Sequence, residues 1–130
     1  MSYTFSVTVH DDFELVVKKT RAALADEGFG IVSEIDMAAT LKEKLGHVME
    51  PYLILGACSP PFALKAIEAD PSVGALLPCN VVVRQAGAGV VVEFMDPEAV
   101  MELVAVDGVR NVADDARTRL EQVRDTLAKR

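Results

Sequence analysis

Apolar and polar residues alternate at the start of the chain and then change their spacing. Over positions 3–9, aromatic and β-branched residues alternate with serine and threonine, a period of two that predicts a half-buried strand. From Phe13 onwards, apolar residues recur every three or four positions, which predicts an amphipathic helix. Asp11 precedes this helix as a capping residue, and Gly28 follows it as a terminator.

The same succession continues with shorter helices. Apolar runs at 29–35 and 51–57 predict two more strands, and Asp36 and Gly46 are suited to begin and end a helix between them. After these come a helix opened by a proline, two strands joined by a glycine-bearing turn, a short helix and a long final helix. We predict these elements at 59–70, 79–85, 90–95, 98–104 and 107–127.

The order of the predicted elements is β-α-β-(α)-β-(α)-β-β-(α)-α, and we expect a single domain over 1–130. The first and last helices are long enough to cover one face of a five-stranded sheet. The third to fifth strands also offer apolar residues to the opposite face. That face is either uncovered and forms a homodimer surface, or it is covered by the short helices.

Charge and composition exclude several classes of function. Thirteen basic residues are outnumbered by twenty acidic ones, giving a formal net charge of −7. The basic residues are scattered and aromatic residues make up only 5%, so a nucleic-acid surface is not expected. No apolar run approaches the ~18 residues of a membrane span, and the N-terminus lacks the basic residues of a signal peptide. We therefore expect a cytoplasmic protein with free thiols and no nucleic-acid or membrane partner.

The two cysteines are the first candidates for chemistry. Cys58 follows a predicted strand and precedes Ser59 at the start of a helix, where the helix dipole favours a thiolate. Cys79 begins a strand after Pro78, with no helix start beside it. If the third and fourth strands are antiparallel neighbours, as we expect, the thiols lie together; in a parallel crossover they lie at opposite ends of the sheet. Either cysteine can instead be a small buried hydrophobe.

Four polar residues are further candidates for a ligand-binding site. Glu34 and Asp36 lie on the same side of a strand end, where paired carboxylates can bind a metal or divide acid and base roles. The alternative is that Asp36 caps a helix and Glu34 is solvated. Lys42 lies six residues after Asp36, which is not the same helical face, so it is expected to be solvated. Asn80 offers an amide beside Cys79, for a ligand or for a turn.

Metal and cofactor motifs are absent from the sequence. The two histidines, His10 and His47, are not at ligand spacing, and there is no C-x-x-C. A zinc site would require Cys58, Cys79 and His47 to converge with a carboxylate. A dinucleotide fingerprint, a phosphate loop and G-x-S-x-G are also missing. We predict no metal, assign no cofactor, and leave open whether the protein is an enzyme.

Four segments together resemble the domain of unknown function 302 family: EID at 34–36, TLKEKLG at 40–46, YLILGACSPP at 52–61 and LLPCNVVV at 76–83. The resemblance covers the family core at 28–97. It implies an α+β fold (an α/β sandwich), in which a mainly antiparallel sheet has the β-α-β4-α arrangement of TATA-box-binding-protein-like domains, with short inserted helices. It also implies that members are often dimeric. It implies no established activity, and DNA binding does not follow from a shared architecture.

Three functional hypotheses follow. The first is a ligand-binding or thiol-dependent protein with one site near Cys58, Cys79 and Asn80, to which Glu34, Asp36 and Lys42 are added. The second is a cysteine-dependent enzyme in which Cys58 is the nucleophile and one of the two carboxylates is the base. The third is a non-catalytic homodimeric interaction module that uses the uncovered face of the sheet. The sequence does not identify the ligand or the reaction.

Overall fold

The computed structural model describes residues 2–129, and its elements follow the order that the apolar spacing predicts. The strands are β1 (Thr4–Val9), β2 (Gly30–Asp36), β3 (Tyr52–Cys58), β4 (Cys79–Ala86) and β5 (Gly89–Met95). The α-helices are α1 (Phe13–Asp26), α2 (Met37–Leu45), α3 (Pro60–Ala69), α4 (Pro97–Met101) and α5 (Asp107–Ala128). A 3₁₀ helix over Pro71–Leu76 lies between α3 and β4, in a segment for which the apolar spacing predicts neither a helix nor a strand.

The five strands form one sheet in the order β1-β5-β4-β3-β2, and every neighbouring pair is antiparallel. β1 and β2 are consecutive in the chain, yet they form the two edges of the sheet. The connection through α1 therefore spans the sheet, whereas each later strand pairs with the one before it. The predicted α+β sandwich with a β-α-β4-α arrangement is confirmed.

Alternate residues of the central strands form the main core with the two long helices. Leu55, Val83 and Phe94 are fully buried on the strands, and Leu24 of α1 and Leu120 of α5 belong to the same cluster. Burying one such side chain contributes about 1.5–3 kcal/mol, so this layer is the main source of stability. One face of the sheet is thereby filled.

The opposite face of the sheet is uncovered within residues 2–129. α3 and α4 pack against α5, and α2 lies beside α1 at the β2 edge, so the short helices join the existing helical layer. Ile54, Val82 and Val91 point away from that layer and remain half-buried. Of the two alternatives left open by the sequence, the structure shows the uncovered face.

Capping residues show where local sequence rules succeed and where they fail. The Asp36 carboxylate accepts a hydrogen bond from the backbone N–H of Ala39 at 2.9 Å. Gly46 ends α2 with a left-handed φ of 66°. Both predictions are confirmed. The prediction for Asp11 is wrong, because the helix begins one residue later than the pattern suggests. Asp11 instead forms an exposed ion pair with Lys19 at 2.9 Å.

Candidate functional site

The two cysteines lie at the same end of the sheet. β3 and β4 are antiparallel neighbours, and Ala57, which precedes Cys58, is the cross-strand partner of Cys79. The arrangement with thiols at opposite ends is therefore excluded. Both cysteines are free thiols and line one hollow under α3 and α5. The lining is almost entirely apolar, with Phe62 and Met101 among its larger side chains.

The hollow between the thiols is too small for an organic ligand. Its volume is about 40 Å³, on the scale of one or two water molecules, whereas ligand pockets in proteins occupy roughly 300–1,000 Å³. The expected recess shared by the two thiols is thus present, but it is not a pocket for a metabolite.

Burial makes Cys79 a poor nucleophile. Its side chain is packed among apolar groups, and this desolvation raises the pKa of the thiol from 9.0 to about 11, with a smaller contribution from the neighbouring charge of Cys58. The Cys79 thiol is therefore protonated at neutral pH. Cys58 is only half-buried and immediately precedes Ser59, the N-cap of α3, so it lies at the helix start where the sequence places it.

Asn80 does not belong to the thiol hollow. It is the cross-strand partner of Gly56, next along β4 from Cys79, and successive side chains of a strand point to opposite faces. Asn80 is consequently exposed on the uncovered face, away from the helical layer. The structure separates it from the two cysteines with which the sequence grouped it.

Glu34, Asp36 and Lys42 line a different and much larger space. A cleft of about 760 Å³ lies between α1 and α2 and extends to the start of β3. The two carboxylates come from the same side of β2, because their cross-strand partners Leu55 and Leu53 both face the helices. The shared side that the sequence predicts for these carboxylates is found in the structure.

The thiol pair and the carboxylates are far apart. Gly30, at the start of β2, is paired with Cys58, whereas Glu34 and Asp36 lie further along the same strand. At about 3.3 Å per residue, the two carboxylates are roughly 13 and 20 Å along the strand from Gly30. The single site that the sequence suggested is therefore two sites at different ends of β2.

The two β2 carboxylates of the cleft are already engaged. Glu34 Oε1 lies 2.5 Å from Arg21 Nη2 of α1, so the solvated glutamate expected from the sequence is in fact ion-paired. Asp36 caps α2 through the N–H of Ala39. Lys42 is exposed at the cleft wall and makes no ion pair within the described part of the chain. It shares the cleft with both carboxylates but does not pair with them.

Sequence reasoning missed the α1 wall of the cleft and the loop that closes it. The α1 residues that line it have the spacing of one helix face, which could have grouped them, and they are Phe13, Glu14, Val17, Lys18 and Arg21. His47 comes from the loop after α2. Nothing local in the sequence predicts that this helix face and α2 line the same cleft, because that depends on β1 and β2 being opposite edges of the sheet.

No metal centre is formed by residues 2–129: no three of their histidine, cysteine, aspartate and glutamate side chains are grouped so that they could hold an ion. Over the same residues, every helix is either too short or too polar to span a lipid bilayer.

Comparison with known families decides where the chain belongs. The family model described as "Domain of unknown function DUF302" matches residues 5–127. The chain belongs to this family. The match extends well beyond the 28–97 core on which the sequence resemblance rests, and it includes both long helices of the DUF302 fold.

A solved DUF302 structure has the same fold. The crystal structure of an uncharacterized conserved DUF302 protein from Bacillus stearothermophilus matches with a TM-score of 0.90 and 24% sequence identity. The alignment covers 97% of this chain and 98% of that chain. None of the curated proteins matches this chain. These comparisons establish the fold and the family, and the name of the family assigns no activity.

Proposed function

We propose that this DUF302 protein is a small-molecule-binding protein whose site is the cleft between α1 and α2. The observation that carries the proposal is the volume of about 760 Å³, which lies in the range of known ligand pockets, combined with a lining of mixed chemistry. Three of the candidate residues from the sequence, Glu34, Asp36 and Lys42, line this cleft.

The lining of the cleft is suited to a ligand with both apolar and polar parts. Val17 and Leu53 are buried at its floor, and Phe13 is half-buried beside them. The charged groups stand on the walls, where an ion can keep part of its hydration. When the apolar body of a ligand contacts the floor, its apolar surface is removed from water, which favours binding. Polar groups of the ligand would be oriented by the charged residues at the walls.

The thiol-dependent alternatives receive less support from the geometry. The hollow beside Cys58 has no room for a substrate, and Cys79 is protonated at neutral pH. A cysteine-dependent enzyme would also need a base within hydrogen-bond reach of the sulfur, and the proposed carboxylates are on the order of 13 Å or more away along β2.

Filling the cleft tests the proposal. Ala39 lines the cleft from α2, and Glu43 lies on the same helix outside it. We expect fragments from a set of neutral, cationic and anionic aromatic and aliphatic compounds to bind the natural protein. Ala39→Trp should weaken the binding of these fragments at least about tenfold, while Glu43→Trp leaves it unchanged. Ligand-detected NMR measures both. Fragments that bind equally to all three proteins, or a set with no binder, would contradict the proposal.

A second function is favoured by the uncovered face of the sheet: self-association into a homodimer. Five strands about 4.8 Å apart and about 20 Å long form a face of roughly 500 Å², so two opposed copies would bury on the order of 1,000 Å². This is the low end for specific interfaces. The face also carries the half-buried ion pair of Arg84 with Glu93 at 3.4 Å, which opposes full desolvation. The dimer that we propose is therefore weak and depends on protein concentration.

A further inference from the structure

Three acidic residues and three basic residues line the α1–α2 cleft, so their formal charges cancel in number, but they differ in how closely they are paired. Arg21 and Glu34 neutralise each other at 2.5 Å, and the Asp36 carboxylate is stabilised by the first turn of α2. Lys18 follows Glu14 by four residues on α1, the spacing at which opposite charges on a helix attract.

Lys42 is the basic lining residue that has neither an ion pair within residues 2–129 nor an acid three or four positions away on its own helix. Within residues 2–129 no carboxylate oxygen lies within ion-pair distance of its ammonium group. It stands on the α2 wall, across the cleft from the α1 residues Phe13 and Val17. A ligand bound on the apolar floor therefore meets, on the α2 wall, a lysine ammonium group that is not held in an ion pair.

We infer that the ligand of the cleft is an amphipathic monoanion, an organic acid with one negatively charged group and an apolar body. This inference rests on the proposed function of the cleft and specifies its ligand class. The charged group pairs with Lys42 Nζ, and the body covers the floor at Val17 and Leu53. The site disfavours a second negative charge on the ligand, because Glu14, Glu34 and Asp36 also face the cleft and the whole chain carries a net charge of −7.

A cationic ligand is disfavoured for the complementary reason. Glu34 is already paired with Arg21 at 2.5 Å. A cationic ligand would have to break this ion pair before it could bind the Glu34 carboxylate. The Asp36 carboxylate is held by a backbone N–H at the start of α2. Glu14 is the remaining acid, and it lies one turn from Lys18. Binding of an anion requires no existing ion pair to open.

Two dyes with the same aromatic body test the inference. 8-Anilinonaphthalene-1-sulfonate carries one negative charge, and N-phenyl-1-naphthylamine is its neutral counterpart. We expect the natural protein to bind the sulfonate about fivefold more tightly than the neutral dye, as an exposed ion pair would provide. Lys42→Gln should abolish this preference without changing the affinity for the neutral dye. Lys44→Gln, on the same helix but outside the cleft, should leave the preference intact, and Glu14→Gln should increase it.

Fluorescence titration measures both affinities in the natural protein, in the three charge variants and in Ala39→Trp. The results distinguish a wrong ligand class from a wrong binding site. Equal affinities of the natural protein for the two dyes, or a preference that survives Lys42→Gln, would overturn the monoanion inference while the cleft remains the binding site. Dye binding that Ala39→Trp leaves unchanged would show that the dyes bind elsewhere, and would count against the cleft itself.

Discussion

At the scale of single residues, environment separates two cysteines that the sequence presents as a pair. Cys79 is on the helix-facing side of β4 and buried, whereas Cys58 ends β3 half-buried before α3. The sequence predicts their common end of the sheet only if β3 and β4 are antiparallel, as they are. It could not predict how much apolar surface closes over each sulfur, because that surface comes from α3, α5 and the segment before β4.

The raised pKa of Cys79 predicts a loss of stability in alkali. The unfolded thiol loses its proton near 9.0, and the folded thiol keeps it to about 11. Deprotonation between these values therefore favours the unfolded state, so the contribution is fully present below pH 9 and is lost as the pH rises to 11. The loss amounts to about 3 kcal/mol in the free energy of unfolding.

Urea unfolding of the natural protein and of Cys79→Ala at pH 8 and pH 10.5 measures this contribution. We expect the decrease in unfolding free energy between the two pH values to be smaller in Cys79→Ala by about 2 kcal/mol. Cys58→Ala should keep most of the decrease, because desolvation of Cys79 is the larger cause of its shift. Identical pH dependence in the natural protein and Cys79→Ala would show that Cys79 is not desolvated as described.

At the scale of elements, α2 depends on its cap more than on burial. Across its nine residues, Met37–Leu45, none is fully buried, so tertiary packing contributes little to it. Its ends are instead fixed by Asp36 and Gly46, both of which can be read from the sequence. Helix and strand positions along the chain were predictable for the same reason, because spacing and capping are local properties. The 3₁₀ helix before β4 was not, since its residues carry no periodic apolar pattern.

Removing the cap should loosen one wall of the cleft. Asp36→Ala leaves the N–H of Ala39 without its partner and should destabilise the protein or its α2 segment by about 1 kcal/mol. Asp36→Asn retains an oxygen acceptor and serves as the matched control. Hydrogen exchange should show faster exchange confined to α2 in Asp36→Ala alone. Unchanged exchange in α2 would mean that packing holds this helix, contrary to its exposure.

At the scale of the whole molecule, the order of strands in the sheet decides the site. The sequence predicts the sheet and its helical layer, and the family resemblance predicts the arrangement. The pattern of residues alone does not place α1 beside α2, because β1 and β2 could have been neighbours. Without the strand order, the sequence groups Glu34, Asp36 and Lys42 with the thiols. The structure instead places them opposite Arg21 and Phe13 in a separate cleft.

The uncovered face of the sheet predicts how the protein self-associates. Val82 lies on the middle strand of this face, with Ile54 and Glu93 as its cross-strand partners. Val82→Lys would place a charge at the centre of the proposed interface and should shift sedimentation from a concentration-dependent dimer to a monomer. Ala22→Lys, on the exposed side of α1, is the control. A natural protein that stays monomeric at high concentration, or a dimer unaffected by Val82→Lys, would contradict the proposed homodimer.

The most direct measurement of the central claim is an amide chemical-shift map of the protein with a bound fragment or with 8-anilinonaphthalene-1-sulfonate. If the cleft is the ligand site, the largest shifts should lie in α1, in α2 and at Tyr52 and Leu53, and they should disappear in Ala39→Trp. Shifts that cluster instead at Cys58 and Cys79 would contradict the account and indicate that the ligand binds beside the thiols.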